Sequence, residues 1–95
     1  MTLEFEGEIW HWRGPSPYHF VSVPPEECVL LEEVAAMVSY GWGMIPVTVQ
    51  IGGSEWATSL WPKDGRYIVP LRLDVRRREG IDVGDTVTVR LAVGV

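Results

Sequence analysis

With a single cysteine, Cys28, the chain has no partner for an internal disulfide. A fold stapled by its own bridges is excluded, and a reducing compartment suits it. Histidine is almost as scarce, with only His11 and His19, and neither has a paired cysteine or acid at metal-ligand spacing. No apolar run approaches the roughly 18 residues of a membrane span. Met1 leads straight into alternating acidic and apolar residues, without a visible signal peptide. The expectation is a soluble cytoplasmic protein with no membrane partner. Basic residues are few, eight Lys and Arg against thirteen Asp and Glu, for a net charge of −5. Residues 1–48 carry −6 of this, and the remainder +1. Such a chain repels a phosphate backbone at long range, so nucleic acid is disfavoured unless a local basic patch overcomes the field.

What the sequence does hold is apolar. Hydrophobic residues make up 46% and charged residues 22% of 95 positions, which excludes disorder and suits one small domain. A domain of this size buries roughly 60–65% of its unfolded surface. Five tryptophans are many for that length, and each needs a place for a large ring with one donor.

The pattern is mostly that of strands. Leu3, Phe5 and Ile9 alternate with Glu4, Glu6 and Glu8, the period of a half-buried strand, and Trp10 and Trp12 continue the glutamate face. Gly14-Pro15-Ser16-Pro17 is a turn, and Tyr18 to Val23 a second strand. Pro24-Pro25-Glu26-Glu27 opens a helix predicted over Pro25–Ser39, with Cys28, Leu31, Val34 or Ala35, and Val38 inward and Gly41 as its left-handed cap. Ile45 to Ile51 is a third strand ended by Gly52-Gly53, and Trp56 to Trp61 a fourth, with a tight connection at Pro62-Lys63-Asp64-Gly65. Tyr67 to Leu71, a basic helical turn over Asp74–Glu79, and Val87 to Val93 complete the order. The predicted core is Leu3, Phe5, Ile9, Phe20, Leu31, Val34, Val47, Val49, Leu60, Val69, Val87, Val89 and Leu91.

Two stretches match internally. Phe20-Val21-Ser22-Val23-Pro24 overlays Arg66-Tyr67-Ile68-Val69-Pro70, and Val47-Thr48-Val49-Gln50-Ile51 overlays Val87-Thr88-Val89-Arg90-Leu91. Each half is then strand, proline, helix, strand. Two such units predict a mainly β fold: a six-stranded, closed or nearly closed barrel capped by one main helix and one short basic helical turn.

Val69-Pro70, Val75-Arg76, Gly80-Ile81 and Gly84-Asp85-Thr86-Val87 resemble the swapped-hairpin, AbrB-type barrels of bacterial regulators and antitoxins. A wider resemblance runs from about Phe5 to Leu91. Phe20-Val21-Ser22-Val23-Pro24, Gly43-Met44-Ile45-Pro46-Val47, Ile51-Gly52-Gly53, Thr58-Ser59-Leu60-Trp61-Pro62 and Val75-Arg76 through Gly84-Asp85 are similar to the bacterial domain-of-unknown-function family numbered 1905. That resemblance implies a single-chain double-split barrel and no particular activity.

Chemistry-bearing residues do not converge in the sequence. Cys28 lies on the apolar helix face, where a buried thiol is a small hydrophobe and not a nucleophile. Ser59 has no Gly-x-Ser-x-Gly elbow around it. Gly41-Trp42-Gly43 follows a helix instead of opening one, so it offers no phosphate cradle. The expectation is therefore no enzyme, no metal and no cofactor. Arg76-Arg77-Arg78 is the one basic cluster; Arg76 is expected to clamp the Gly84-Asp85 turn, with an AbrB-like nucleic-acid or protein contact as the alternative. Tryptophan is the remaining signal. Trp10 and Trp12 sit on a charged face, Trp42 in a glycine-flanked loop, and Trp61 beside a turn. Together with Ser59 as a hydroxyl and Arg76 as a charged anchor, they are the candidate lining of a recess for a small organic or peptidic ligand or a protein partner, on a monomer or weak homodimer.

Overall fold

The computed structural model describes residues 1–15 and 17–94. Ser16 of the anticipated turn lies outside the described residues. Six strands, β1 (Thr2–Trp12), β2 (Tyr18–Ser22), β3 (Ile45–Ile51), β4 (Ser54–Lys63), β5 (Arg66–Leu71) and β6 (Thr86–Val93), close a barrel in the order β1-β2-β5-β4-β3-β6, every pair antiparallel. Helix α1 (Pro25–Val38) joins β2 to β3 and packs on β3 and β5, while α2 (Leu73–Glu79) joins β5 to β6 and packs on β4.

Closure depends on two long strands that each serve two sheets. β1 pairs with β6 along Thr2–Glu8 and with β2 along Ile9–Trp12. β4 does the same, with β3 along Ser54–Leu60 and with β5 along Trp61–Lys63. At the corner of β1 a side chain has no room: a Cβ on Gly7 would lie 2.5 Å from Val21 Cγ1. The chain thus repeats a strand-strand-helix-strand unit, and the two units exchange places around the barrel. Phe5 opposite Val89 in one half corresponds to Trp56 opposite Val49 in the other.

Alternation decides the interior. Ile9, Val21, Val49, Leu60, Val69, Val89 and Leu91 are fully buried within one cluster, which Leu31 and Cys28 of α1 and Val75 of α2 cover. Burying each valine or leucine contributes about 1.5–3 kcal/mol. Val34 is only half-buried at the margin of this cluster.

Phe20 requires a correction. It is buried, 2% exposed, but it is not part of the barrel interior. Its register partners are Trp10 and Pro70, on the outward face of the sheet. There it packs against Trp10, Tyr18 and Trp61 with ring centroids 5.2, 5.6 and 5.3 Å away. Ile68, the partner of Trp61, is buried on the same outward face. The barrel therefore carries a second, aromatic layer outside β2 and β5. β2 is apolar on both faces, so alternation could not assign its inward side.

Two smaller expectations also change. The cap of α1 is Ser39, in extended conformation, whose N–H donates to the Ala35 carbonyl; Gly41, at φ +58°, belongs instead to the turn that bridges Tyr40 and Met44. The second internal match is in register with the barrel, but the first is displaced by two residues, since strand pairing equates Phe20 with Ile68.

Candidate functional site

On the outward aromatic layer lies a recess of about 520 Å³. Pro15 and Pro17 of the β1–β2 connection and the end of the β4–β5 hairpin border it. Buried Phe20 and Ile68 form its floor. Its walls are aromatic: Trp12 at the end of β1 is 40% exposed, Trp61 on β4 is 42% exposed, and Tyr18 is similarly open. Pro15, Pro17 and Pro62 complete the rim with rigid apolar rings that donate no N–H. Among the described residues lining it, Lys63 alone carries a charge.

Local chemistry holds these walls in place. Asp64 and Gly65 both adopt positive φ, 51° and 78°, the two-residue turn that matches strand twist and sends Lys63 and Arg66 into register. Gly14 lies flush against the Trp12 indole, where a Cβ would overlap the ring nitrogen. The Lys63 ammonium sits 4.7 Å from the centroid of the Trp12 ring and 3.1 Å from Asp64 Oδ2.

Of the six candidates from the sequence, the recess brings together Trp12 and Trp61. Trp10 lies beside it under different constraints: half-buried on Phe20, its indole N–H donates to Ser22 Oγ at 3.0 Å, and it borders a polar groove with Glu6, Glu8 and Arg66. Trp42 stands 95% exposed at the tip of the Tyr40–Met44 turn. Ser59 shares a hydrogen bond with the Tyr40 hydroxyl. Arg76 belongs to another cluster altogether. Its Nη1 is 3.4 Å from Asp82 Oδ1, and its Nε has no partner among the described residues. The expected clamp on the turn is thus made through Asp82, and Asp85 accepts the Asp82 N–H at 2.8 Å.

That second cluster includes both histidines. His11 and His19 are register partners, stacked with centroids 4.6 Å apart, and His19 Nε2 lies 3.6 Å from Asp82 Oδ1. Burial, then Arg76 and His11, lower the His19 pKa from its ordinary value, while Asp82 acts in the opposite direction. No group of three His, Cys, Asp or Glu converges among the described residues. The Cys28 thiol donates to the Val23 carbonyl at 3.4 Å. Among the described residues no helix is long and apolar enough to cross a membrane.

The sequence alone did not single out Tyr18, Pro15 or Pro17, and it grouped Lys63 with the arginine cluster instead of the recess. A detectable signal was present: the link between Trp12 and Tyr18 carries two prolines and is longer than the two residues a tight hairpin needs.

Residues 5–91 match the family described as Domain of unknown function (DUF1905), so the chain belongs to that family. No curated protein matches the sequence.

Proposed function

We propose that this DUF1905 chain is a non-enzymatic binding module that takes a small, flat, apolar organic ligand in the recess between Trp12 and Trp61. One observation carries the proposal: two indoles and a phenol remain partly exposed around a concave surface whose floor is already dry. Apolar side chains that could bury more area against one another would do so unless something else covers them. The volume falls within the roughly 300–1,000 Å³ of small-molecule sites. Offset stacking on indole and phenol rings favours a planar ligand over a branched one.

Among the described residues no activated group lines the recess, which supports binding without chemistry. Cys28 is buried under α1, the histidines belong to the α2 side, and Ser59 has a tyrosine hydroxyl for a neighbour instead of a base. An AbrB-like contact with nucleic acid has weaker support. At the basic helix Arg72, its N-terminal cap residue, and Arg78 both pair with Asp74, and Arg76 pairs with Asp82. Duplex DNA titrated at physiological salt should show no complex tighter than the micromolar range, and a salt-sensitive nanomolar one would favour that alternative.

The direct test is an NMR screen of planar aromatic fragments, read at the tryptophan indole N–H resonances. Hits should shift Trp12 and Trp61 together, leave Trp42 unmoved, and lose affinity in both Trp12→Ala and Trp61→Ala. A screen in which no fragment moves that pair would sink the proposal.

A further inference from the structure

The recess is neutral except at one point, and that point is the only lysine in the chain. We infer that the recess selects aromatic carboxylates, with Lys63 receiving the carboxylate while the ring lies between Trp12 and Trp61. The inference rests on the proposal that the recess binds a flat ligand, and adds the charge that ligand must bear.

Three features support an anion. The Lys63 ammonium is held at the recess by Trp12, 4.7 Å from the ring centroid, so the positive charge is placed before any ligand arrives. Its side chain is one-third exposed, whereas its ionic partner Asp64 is 87% exposed on the turn. Asp64 takes one of three ammonium donors and leaves the others free to turn toward the recess. A carboxylate bound against the apolar walls would gain a charge-assisted hydrogen bond away from bulk water. An organic cation would meet the opposite situation, because Lys63 already occupies the Trp12 ring and would repel it.

Net charge is the obvious objection. At −5 the molecule opposes the approach of any anion. Physiological salt screens charges beyond about 8 Å, however, so the distant acids retard the encounter while the contact with Lys63 is decided locally. Charge selection should therefore appear in affinity.

Calorimetric titration of the whole chain with naphthalene-2-carboxylate and its neutral isostere naphthalene-2-carboxamide separates ring from charge. The carboxylate should bind about tenfold more tightly, as expected for a partly desolvated charged hydrogen bond. Lys63→Met should erase that ratio, and Lys63→Arg should restore most of it. Equal binding of both compounds to the unaltered chain, or a preference that survives Lys63→Met, overturns the charge assignment alone. Failure of both compounds to bind overturns the ligand proposal with it.

Discussion

The two halves of the barrel are built on one plan and differ where they are joined to themselves. In the second half, β4 turns into β5 through Asp64 and Gly65 alone. In the first, five residues separate β1 from β2, and Pro15 and Pro17 of that longer connection stand beside the recess. Inside the barrel the halves are nearly interchangeable; outside it they are not. Trp10 faces Phe20 in the first half as Trp61 faces Ile68 in the second, yet only the first has the extra loop that turns an aromatic layer into a concavity. The comparison teaches that a symmetric core can carry an asymmetric surface, because loop length is nearly free to change while inward register is not.

The sharpest way to break this comparison is at the outward layer. Phe20→Ala should destabilise the protein by about 3–5 kcal/mol, a core-like penalty at a position outside the barrel. Urea denaturation would measure it, and a cost of a few tenths would mean that the layer is a dispensable coat. Ile68→Ala, at the equivalent place, should cost less than Phe20→Ala, because it removes no ring-on-ring contact.

Next comes the interior, where the halves should agree. Val49 and Val89 occupy corresponding positions and are both fully buried. Each change to alanine should cost ~1–3 kcal/mol through lost burial and a residual cavity. Matching values in parallel denaturation curves would confirm the equivalence, and a large disparity would show that the two units pack differently despite their common topology.

A smaller effect is expected from a tie present in only one half. Glu79 at the end of α2 accepts hydrogen bonds from Ser54 Oγ at 2.6 Å and from the Gly53 N–H at 3.3 Å, fastening the β3–β4 hairpin to the helix. Gly52 lies so close that a Cβ there would overlap the carboxylate. Glu79→Gln should lower stability by about 1–2 kcal/mol, since one charged acceptor is replaced by a group that also donates. An unchanged midpoint would make the tie ornamental.

The smallest effect is a pH slope. His19 holds its proton less readily in the folded state than in the unfolded chain, whose histidine titrates near 6.5. The stability this contributes is fully present above pH 6.5 and is lost as the pH falls from there through the folded-state value. Denaturation midpoints taken from neutral pH down to about pH 5, above the range where ordinary carboxylates titrate, should decline, and His19→Gln should flatten the decline. An equal decline in the variant would place the proton elsewhere.

The same contrast explains what the sequence could reveal. The succession of elements along the chain, helix placement and most of the interior were legible because glutamate alternates with apolar residues in β1, and Gly-Gly and Asp-Gly mark the hairpins. The side of β2 was not legible, since Phe20 and Val21 are apolar on successive positions and both faces are covered. Trp12 and Trp61 could be singled out by parity and by their neighbouring turn. Lys63 could not be preferred over Arg76 as an anchor, because periodicity places a residue on a face of its own element without saying which other elements stand opposite. Arg76 is drawn to Asp82 and the histidines by a helix whose direction only the assembled barrel fixes.

Closure has a consequence in time. Thr2 pairs with Ala92, and the amino group of Met1 donates to the Val93 carbonyl at 3.1 Å. The strand that starts the barrel must wait for the strand that finishes it. Until β6 arrives, β1 and β3 each have an unpaired flank, and the order of events is governed by diffusion of remote segments more than by local propensity. Folding should then be slow for so short a chain, in the millisecond-to-second range of proteins dominated by distant pairings. During that interval the outward rings of Phe20 and Trp61 and the open strand edges are exposed together, the combination that favours association between incomplete chains.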